Sequence, residues 1–138
     1  MIDATAVIHP LANLYHATVG PRTKIANFVD AGRVTIGADC KVQAFAFLAP
    51  GTVIGDRVFI GPGVTICNDD RPRAVGDWIC RPVTIEDDAS IGAGSTIRAG
   101  VTIGRGAFIG QGSNVTDDVP PGVHVRGNPS KPSPLSDR

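Results

Sequence analysis

Aliphatic residues recur at every sixth position along most of the chain. The regular positions fall into an early pair and two unbroken series: Val19 and Ile25; Ile36, Val42, Leu48, Ile54, Ile60 and Ile66; Ile85, Ile91, Ile97, Ile103, Ile109 and Val115. Two positions before each stands a compact residue: Ala17, Thr23, Val34, Cys40, Ala46, Thr52, Val58, Val64, Val83, Ala89, Ser95, Val101, Ala107 and Ser113. A period of six contains three alternations of period two, which indicates short strands rather than a helix.

This spacing predicts a coil of very short strands. Each strand directs one aliphatic side chain inward, and the glycine that follows many of them relieves the steric cost of the turn. Three six-residue repeats complete a triangular turn of about 18 residues, so residue n is expected to stack on residue n+18. Hexapeptide periodicity is a signature of parallel β-helix solenoids, so the sequence predicts an all-β fold built as a single parallel β-helix.

The length of 138 residues corresponds to one domain. We expect a β-helix domain over residues 1–125 and a C-terminal exit segment with a flexible tail over 126–138, where the apolar period is lost. The net charge is zero, which gives no global field for nucleic acid or an acidic membrane. Because the chain has no long apolar run and no signal-peptide pattern at its start, we expect a cytoplasmic protein with reduced cysteines and no membrane or nucleic-acid partner.

The repeat is interrupted once, between Ile66 and Ile85, where nineteen residues separate two inward aliphatics. The interruption predicts an external loop at about 67–84, which contains the single tryptophan, two of the three cysteines and many charges. Loops that leave a rigid solenoid often carry the function, because the coils position them against a ligand. The alternative is a solvated insertion that the solenoid merely tolerates.

Several segments together identify a resemblance: the repeats, NDDRPR at 68–73, IGAGSTIRAGVTIGRGAFIGQGSNVTDDVPPG at 91–122 and VHVRGNPSKP at 123–132. They resemble the hexapeptide-repeat acyltransferases, which are left-handed parallel β-helix proteins that use acetyl-CoA. Within that family the chain is most similar to enzymes that N-acetylate a 3-amino sugar linked to UDP or dTDP. The left-handed coil is implied by the resemblance alone, because the usual crossover preference is right-handed.

The resemblance also implies how a site would be assembled. Family members are homotrimers that bind acetyl-CoA along the seam between neighbouring solenoids, use no metal, and hold the amino sugar near the loop. The loop Asn and Asp that hold the sugar amine in the family match Asn68 and Asp69, which become the expected catalytic residues. Further residues are expected to contact the substrate: Asp70, Arg71, Arg73 and Trp78. Four others are expected to contact the coenzyme: Ala93, Gln111, Arg126 and Lys131.

One position departs from the family pattern. Related N-acetyltransferases commonly carry a glutamate one turn below the loop asparagine, but the residue 18 positions before Asn68 is Pro50. Proline has no side-chain base. Four explanations are open: Asp69 suffices, Asp70 takes over the role, the substrate differs, or activity has been lost.

The three histidines raise alternative functions. A sugar O-acetyltransferase of the same fold would use a histidine base to activate a hydroxyl group, and a zinc hydratase would need three histidines that converge on one seam. His9 and His16 fall in the first turn, and His124 follows the last regular repeat, so neither pattern is evident. A third alternative is a scaffold without catalytic activity, which would have no reason to bind coenzyme A.

Overall fold

Each repeat of the sequence folds into a two-residue strand followed by a corner. The computed structural model describes residues 1–135, which contain these strands: β1 (Val7–Ile8), β2 (Thr18–Val19), β3 (Lys24–Ile25), β4 (Thr35–Ile36), β5 (Lys41–Val42), β6 (Phe47–Leu48), β7 (Val53–Ile54), β8 (Phe59–Ile60), β9 (Thr65–Ile66), β10 (Thr84–Ile85), β11 (Ser90–Ile91), β12 (Thr96–Ile97), β13 (Thr102–Ile103), β14 (Phe108–Ile109), β15 (Asn114–Val115), β16 (His124–Arg126) and β17 (Lys131–Pro132). Nowhere in residues 1–135 is there a helix long and apolar enough to cross a bilayer.

The strands stack into three sheets that form the faces of a solenoid of about seven turns, and all pairs are parallel except the terminal β16–β17 pair. The eight-stranded face has the order β1-β3-β5-β8-β11-β14-β16-β17, the five-stranded face β13-β10-β7-β4-β2, and the four-stranded face β15-β12-β9-β6. In each regular turn the chain visits the five-stranded, eight-stranded and four-stranded faces in that order. This all-β parallel solenoid confirms the predicted fold class and is consistent with the left-handed β-helix that the hexapeptide repeat implies.

The stacking register confirms the predicted 18-residue turn in the middle of the chain but not at its ends. Thr35 pairs with Val53, and Thr84 with Thr102, each 18 residues apart. The early turns are one residue shorter, as in the pairing of β1 with β3 and of β3 with β5. The last parallel pair, β14 with β16, joins residues 16 apart. Corners that lose a residue explain why the early aliphatics deviate from the strict period.

The core contains the side chains that the repeat predicts. All fourteen periodic aliphatics are at most 2% exposed, and their fourteen compact partners are at most 5% exposed. Four buried hydroxyls donate to backbone carbonyls: Thr23 Oγ1 to Gly37 O at 2.6 Å, Thr52 Oγ1 to Ala49 O at 2.6 Å, Ser95 Oγ to Gly110 O at 3.1 Å, and Ser113 Oγ also to Gly110 O. A polar group in this narrow core is therefore hydrogen-bonded, as burial requires.

The C-terminal segment differs from the prediction of a flexible tail that begins within 126–138. Residues Lys131–Pro132 form β17, which pairs antiparallel with Val125–Arg126 of β16. The chain reverses after Gly127 and covers the last edge of the eight-stranded sheet, which would otherwise expose unpaired backbone groups. The predicted boundary at 125/126 thus falls inside a strand. Residues 136–138 of the predicted tail lie outside the described residues.

Charged side chains line the corner that follows the five-stranded face. Arg22 Nε donates to Asp39 Oδ1 at 2.7 Å, and Arg57 Nε donates to Asp88 Oδ1 at 2.7 Å. Arg105 lies 3.8 Å from Asp88. Arg22, Asp39, Arg57 and Asp88 occupy equivalent positions in successive turns, and Arg105 lies one residue before the next such position. Opposite charges therefore meet along the corner and link the turns pairwise at the surface.

Candidate active site

The external loop leaves the coil at Asn68 and returns at Arg81. Arg81 N donates to Asn68 O at 2.8 Å, and Cys67 N donates to Ile97 O of the turn above at 3.0 Å. Across the loop, paired strand residues are 31 positions apart where an uninterrupted turn has 18, so the insertion adds 13 residues. The predicted loop at about 67–84 is therefore confirmed, with both of its ends held by the coil.

The two expected catalytic residues stand at the root of this loop. Asn68 is half-buried, and its Nδ2 donates to Pro50 O at 3.0 Å. The turn below thus supplies a backbone carbonyl to orient Asn68 at the position where the family commonly carries a glutamate. Asp69 Oδ1 accepts a hydrogen bond from Arg71 N at 3.0 Å, which fixes the carboxylate at the start of the loop. Both groups retain oxygen atoms that can accept a hydrogen bond from an amine.

The Asp70 carboxylate forms an ion pair with Arg98. Arg98 Nε donates to Asp70 Oδ1 at 2.8 Å and Arg98 Nη2 donates to Asp70 Oδ2 at 3.1 Å, so the pair is bidentate. These hydrogen bonds lower the pKa of Asp70 and favour its carboxylate form. Since Arg98 belongs to the turn above the loop root, the pair links the loop to the coil. This geometry does not favour Asp70 as a substitute base.

A concavity of about 500 Å³ opens within the loop. Its lining includes five residues predicted from the sequence: Asp69, Asp70, Arg71, Arg73 and Trp78. Sequence reasoning missed three others, Asp77, Ile79 and Arg81, although each lies in the same insertion. Asn68 lies at the root beneath the concavity and is absent from its lining.

The concavity combines functional groups that suit a charged, partly planar ligand. Guanidinium groups bind phosphates in a bidentate manner, and three arginines line this space. The Trp78 side chain is 51% exposed and offers a face for stacking. Carboxylates in the same lining can accept hydrogen bonds from amino or hydroxyl groups.

The expected coenzyme residues lie on another corner of the solenoid. Ala93 and Gln111 occupy equivalent positions one turn apart, after the Ile91–Ile109 pair, and Ala93 O accepts Gly112 N at 2.8 Å. Arg126 and Lys131 are directly opposite each other in β16 and β17. All four belong to the upper end of the eight-stranded face and its following corner. The loop instead leaves the corner that follows the four-stranded face, so one chain does not bring the two groups into a single site.

The histidines and cysteines of residues 1–135 form no evident metal site or second catalytic site. Among residues 1–135, no group of three or more His, Cys, Asp or Glu side chains is placed to hold a metal ion. His124 packs edge-on against Phe108, with ring centroids 5.2 Å apart. The three cysteines are free, and burial raises the pKa values of the Cys40 and Cys67 thiols, which disfavours their reactive thiolate forms.

Comparisons with known proteins agree with this architecture. The family described as "Bacterial transferase hexapeptide (six repeats)" matches residues 33–68 and 82–117, so the gap between the two matches coincides with the loop. The chain is 38% identical over 122 residues to the bifunctional protein GlmU of Thermotoga petrophila, an alignment that covers 88% of this chain and 26% of the relative. The chain therefore spans about a quarter of the length of the curated relatives it matches most fully.

Solved structures of similar proteins extend the comparison. WeeI from Acinetobacter baumannii is 30% identical with a TM-score of 0.73, over 94% of this chain and 56% of that protein. The hexapeptide-repeat acetyltransferase VCA0836 from Vibrio cholerae, solved with acetyl coenzyme A, is also 30% identical, with a TM-score of 0.66 over 91% of this chain and 72% of that one. Since the repeat matches cover just over half of its residues, this chain belongs to the bacterial hexapeptide transferase family.

Proposed function

We propose that this protein is an acetyl-CoA-dependent N-acetyltransferase that acts on the amino group of a UDP- or dTDP-linked 3-amino sugar. The observation that carries the proposal is the loop root, where Pro50 O holds Asn68 and Arg71 N holds Asp69 beside the concavity. The similarity to VCA0836, which was solved with acetyl coenzyme A, supports the choice of acyl donor. The resemblance of the NDDRPR segment to the sugar N-acetyltransferases supports the choice of acceptor.

The chemistry requires positioning more than strong base catalysis. The neutral amine of the acceptor attacks the thioester carbonyl carbon, a C–N bond forms, the C–S bond breaks, and the proton lost from nitrogen ends on the departing thiol. Asp69 accepts a hydrogen bond from the amine and directs its lone pair, while Asn68 Oδ1 accepts a second one.

The proposed active unit is a homotrimer. The loop and the expected coenzyme residues lie on different corners of one solenoid, so neighbouring copies are needed to bring them together. Threefold cyclic packing places the same two surfaces in contact at each of three seams and gives three composite sites. Light scattering tests this directly, because a stable monomer at micromolar concentration contradicts the composite site.

The functional test compares Asp69→Asn with the wild-type protein in an assay that follows release of the coenzyme A thiol. The substitution keeps the side-chain shape and removes the charge, so turnover with the amino sugar should fall about 100-fold. Coenzyme A affinity should be unchanged, because its residues lie on the other corner. Asp30→Asn, an equivalent change remote from the loop, should retain full turnover.

Histidine variants separate the proposal from its alternatives. His9→Ala, His16→Ala and His124→Ala should each keep turnover within a few-fold of the wild-type value. A loss of turnover in one of them, with Asp69→Asn active, identifies a histidine-dependent O-acetyltransferase instead. A protein that binds no coenzyme A and acetylates no amino sugar is a scaffold.

A further inference from the structure

One corner of the solenoid carries different residues in its lower and upper turns. This corner follows the eight-stranded face, and the strand register aligns one outward position per turn: Leu11, Phe28, Phe45, Gly63, Gly94 and Gly112. The first three are large apolar residues and the last three are glycines. We call the segment formed by Phe28 and Phe45 the Phe corner.

The two phenylalanines adopt a backbone conformation that bulky residues rarely take. Phe28 has φ = 65° and Phe45 has φ = 66°, both in the left-handed region. Their side chains are 51% and 66% exposed, so burial in this chain does not explain them. The rings stack on each other with centroids 5.1 Å apart and planes 17° apart. The result is a stacked, solvent-facing aromatic pair.

The upper face of this pair has free space above it. The next position on the corner is Gly63, where an added Cβ would meet no atom within 4 Å. The ring spacing is close to the step of about 4.8 Å between paired strands. A third planar ring at the same spacing would therefore lie beside Gly63, which has no side chain of its own. Nucleobases stack on aromatic side chains in this way, with little dependence on base identity.

Two lysines add a charge preference to this surface. Lys24 and Lys41 are direct register partners in β3 and β5, and each precedes a residue of the Phe corner by four positions. Both are exposed, and the ion pairs found in residues 1–135 include neither. Like charges directly opposite each other repel, so a bound phosphate would relieve this repulsion.

We propose that the Phe corner and these two lysines bind a nucleotide, with its base stacked on Phe45 and its phosphates against Lys24 and Lys41. The proposal rests on the proposed function, because it assigns this nucleotide to the carrier of the amino sugar. It names a base-binding surface outside the loop, on the corner that also bears the expected coenzyme residues.

The position of a second cation pair determines which nucleotide binds here. Arg126 and Lys131 face each other in β16 and β17, at the opposite end of the same eight-stranded sheet from β3 and β5. We assign that upper pair to coenzyme A, so its adenosine phosphates are bound far from the Phe corner. The acceptor nucleotide then approaches from the lower end. The glycine positions between leave room on this corner for the two reacting groups to meet beside the loop of a neighbouring copy in the proposed trimer.

Titration calorimetry with UDP, dTDP and coenzyme A tests this arrangement on the full chain. Phe45→Gly removes the stacking face and suits the left-handed backbone, so the fold is retained. We expect UDP and dTDP to bind about tenfold more weakly, as loss of one base–aromatic stack predicts, with coenzyme A affinity unchanged. Arg33→Gly is the matched control, because Arg33 occupies a left-handed corner (φ = 54°) on another edge and its loss should leave all three affinities unchanged.

A second variant tests the phosphate contacts independently. Lys24→Gln combined with Lys41→Gln should weaken UDP and dTDP binding and reduce its dependence on salt, since two phosphate contacts are removed. Unchanged UDP and dTDP affinity in both variants overturns the proposal, and so does a wild-type protein that binds neither nucleotide. Loss of coenzyme A affinity in Phe45→Gly instead assigns the Phe corner to the donor and also overturns it.

The outcomes separate this inference from the proposed function. If wild-type protein acetylates the amino sugar and Phe45→Gly has the same Michaelis constant for it, the inference fails while the proposed function stands. If wild-type protein binds UDP or dTDP through Phe45 but transfers no acetyl group, the nucleotide site stands and the proposed function fails.

Discussion

The coil turns bury their periodic aliphatics to 2% exposure or less, whereas every residue from 71 to 82 in the loop is exposed. In the coil, each inward aliphatic side chain lies between the equivalent residues of the turns above and below, so its environment repeats along the chain. In the loop, the contacts are individual: one amide on Pro50 O, one carboxylate on Arg71 N and one bidentate pair with Arg98. The comparison indicates that the coil provides stability and position, and that the loop provides chemistry.

The largest expected effect is a loss of stability in the coil. Ile103→Ala should lower the free energy of unfolding by about 2–5 kcal/mol, because the narrow core cannot close around the cavity. Ala107→Leu should also destabilise, by about 1–3 kcal/mol, since it overfills an inward position that holds a small residue. Denaturant titration measures both changes.

The control for these variants is Val53→Ala, which trims an aliphatic side chain that faces outward and is 45% exposed. It should change the free energy of unfolding by less than about 0.5 kcal/mol. Equal stability of the Ile103→Ala and Val53→Ala variants would contradict the assignment of inward and outward positions.

The next largest expected effect is a loss of turnover when a contact between the coil and the loop is removed. Arg98→Gln should lower turnover about tenfold, since the loop root loses the bidentate pair that holds Asp70 and with it the placement of Asn68 and Asp69. The melting temperature should hardly change, because the pair is exposed. Arg98→Lys should recover only part of the turnover, as lysine cannot form the two-point contact.

A control variant on the charged corner shows whether the loss of turnover in Arg98→Gln is specific to the loop or follows the loss of any surface ion pair. Arg57→Gln removes a similar pair with Asp88 that is remote from the loop, so turnover should be unaffected. A comparable loss of turnover in both variants would mean that surface ion pairs act through the whole fold.

The smallest effect is a pH dependence of stability. Hydrogen bonds from Arg22, Arg57 and Arg98 lower the pKa values of Asp39, Asp88 and Asp70 respectively. Carboxyl groups whose pKa is lower in the folded state stabilise the fold above their unfolded pKa of about 3.9, and this contribution is lost as pH falls through the folded pKa.

Melting temperatures measured between pH 7 and pH 2 test this sign. The wild-type melting temperature should fall below about pH 4, and the fall should be shallower in a variant with Asp39→Asn and Asp88→Asn. An equally steep fall in that variant would assign the acid sensitivity to other groups.

The difference between coil and loop also sets what could be predicted from sequence. The period identified fourteen inward aliphatics and their compact partners, because the same packing requirement recurs in each turn. It missed core residues where the period is irregular, such as Val29, Ala31 and Val119. It did not identify the 17-residue and 16-residue turns, since a shortened corner is visible in the sequence only as an interruption of the period, as between Ile25 and Ile36. Strand β17 was missed because backbone pairing at a sheet edge needs no apolar side chains, and Lys131–Pro132 contains no inward-facing aliphatic residue.

Within the site, residue type predicted location better than role. Asp69, expected as a catalytic residue, lines one concavity together with Arg71 and Trp78, which were expected to contact the substrate. The contact of Asn68 with Pro50 was not predictable from side chains, because the partner is a backbone carbonyl. Asp70 lines the concavity as well, and its contact with the substrate stays a prediction. Its pairing with Arg98 was not predictable, because it joins residues 28 positions apart and required the coil register to be known.

The most direct test of the central claim is mass analysis of the product formed from acetyl-CoA and two matched nucleotide sugars, one with a 3-amino group and one with a 3-hydroxyl group. The account predicts one acetyl group on the amino sugar, none on the hydroxyl sugar, and about 100-fold slower product formation by Asp69→Asn. Acetylation of the hydroxyl sugar, or equal rates for the wild-type and Asp69→Asn proteins, would contradict it.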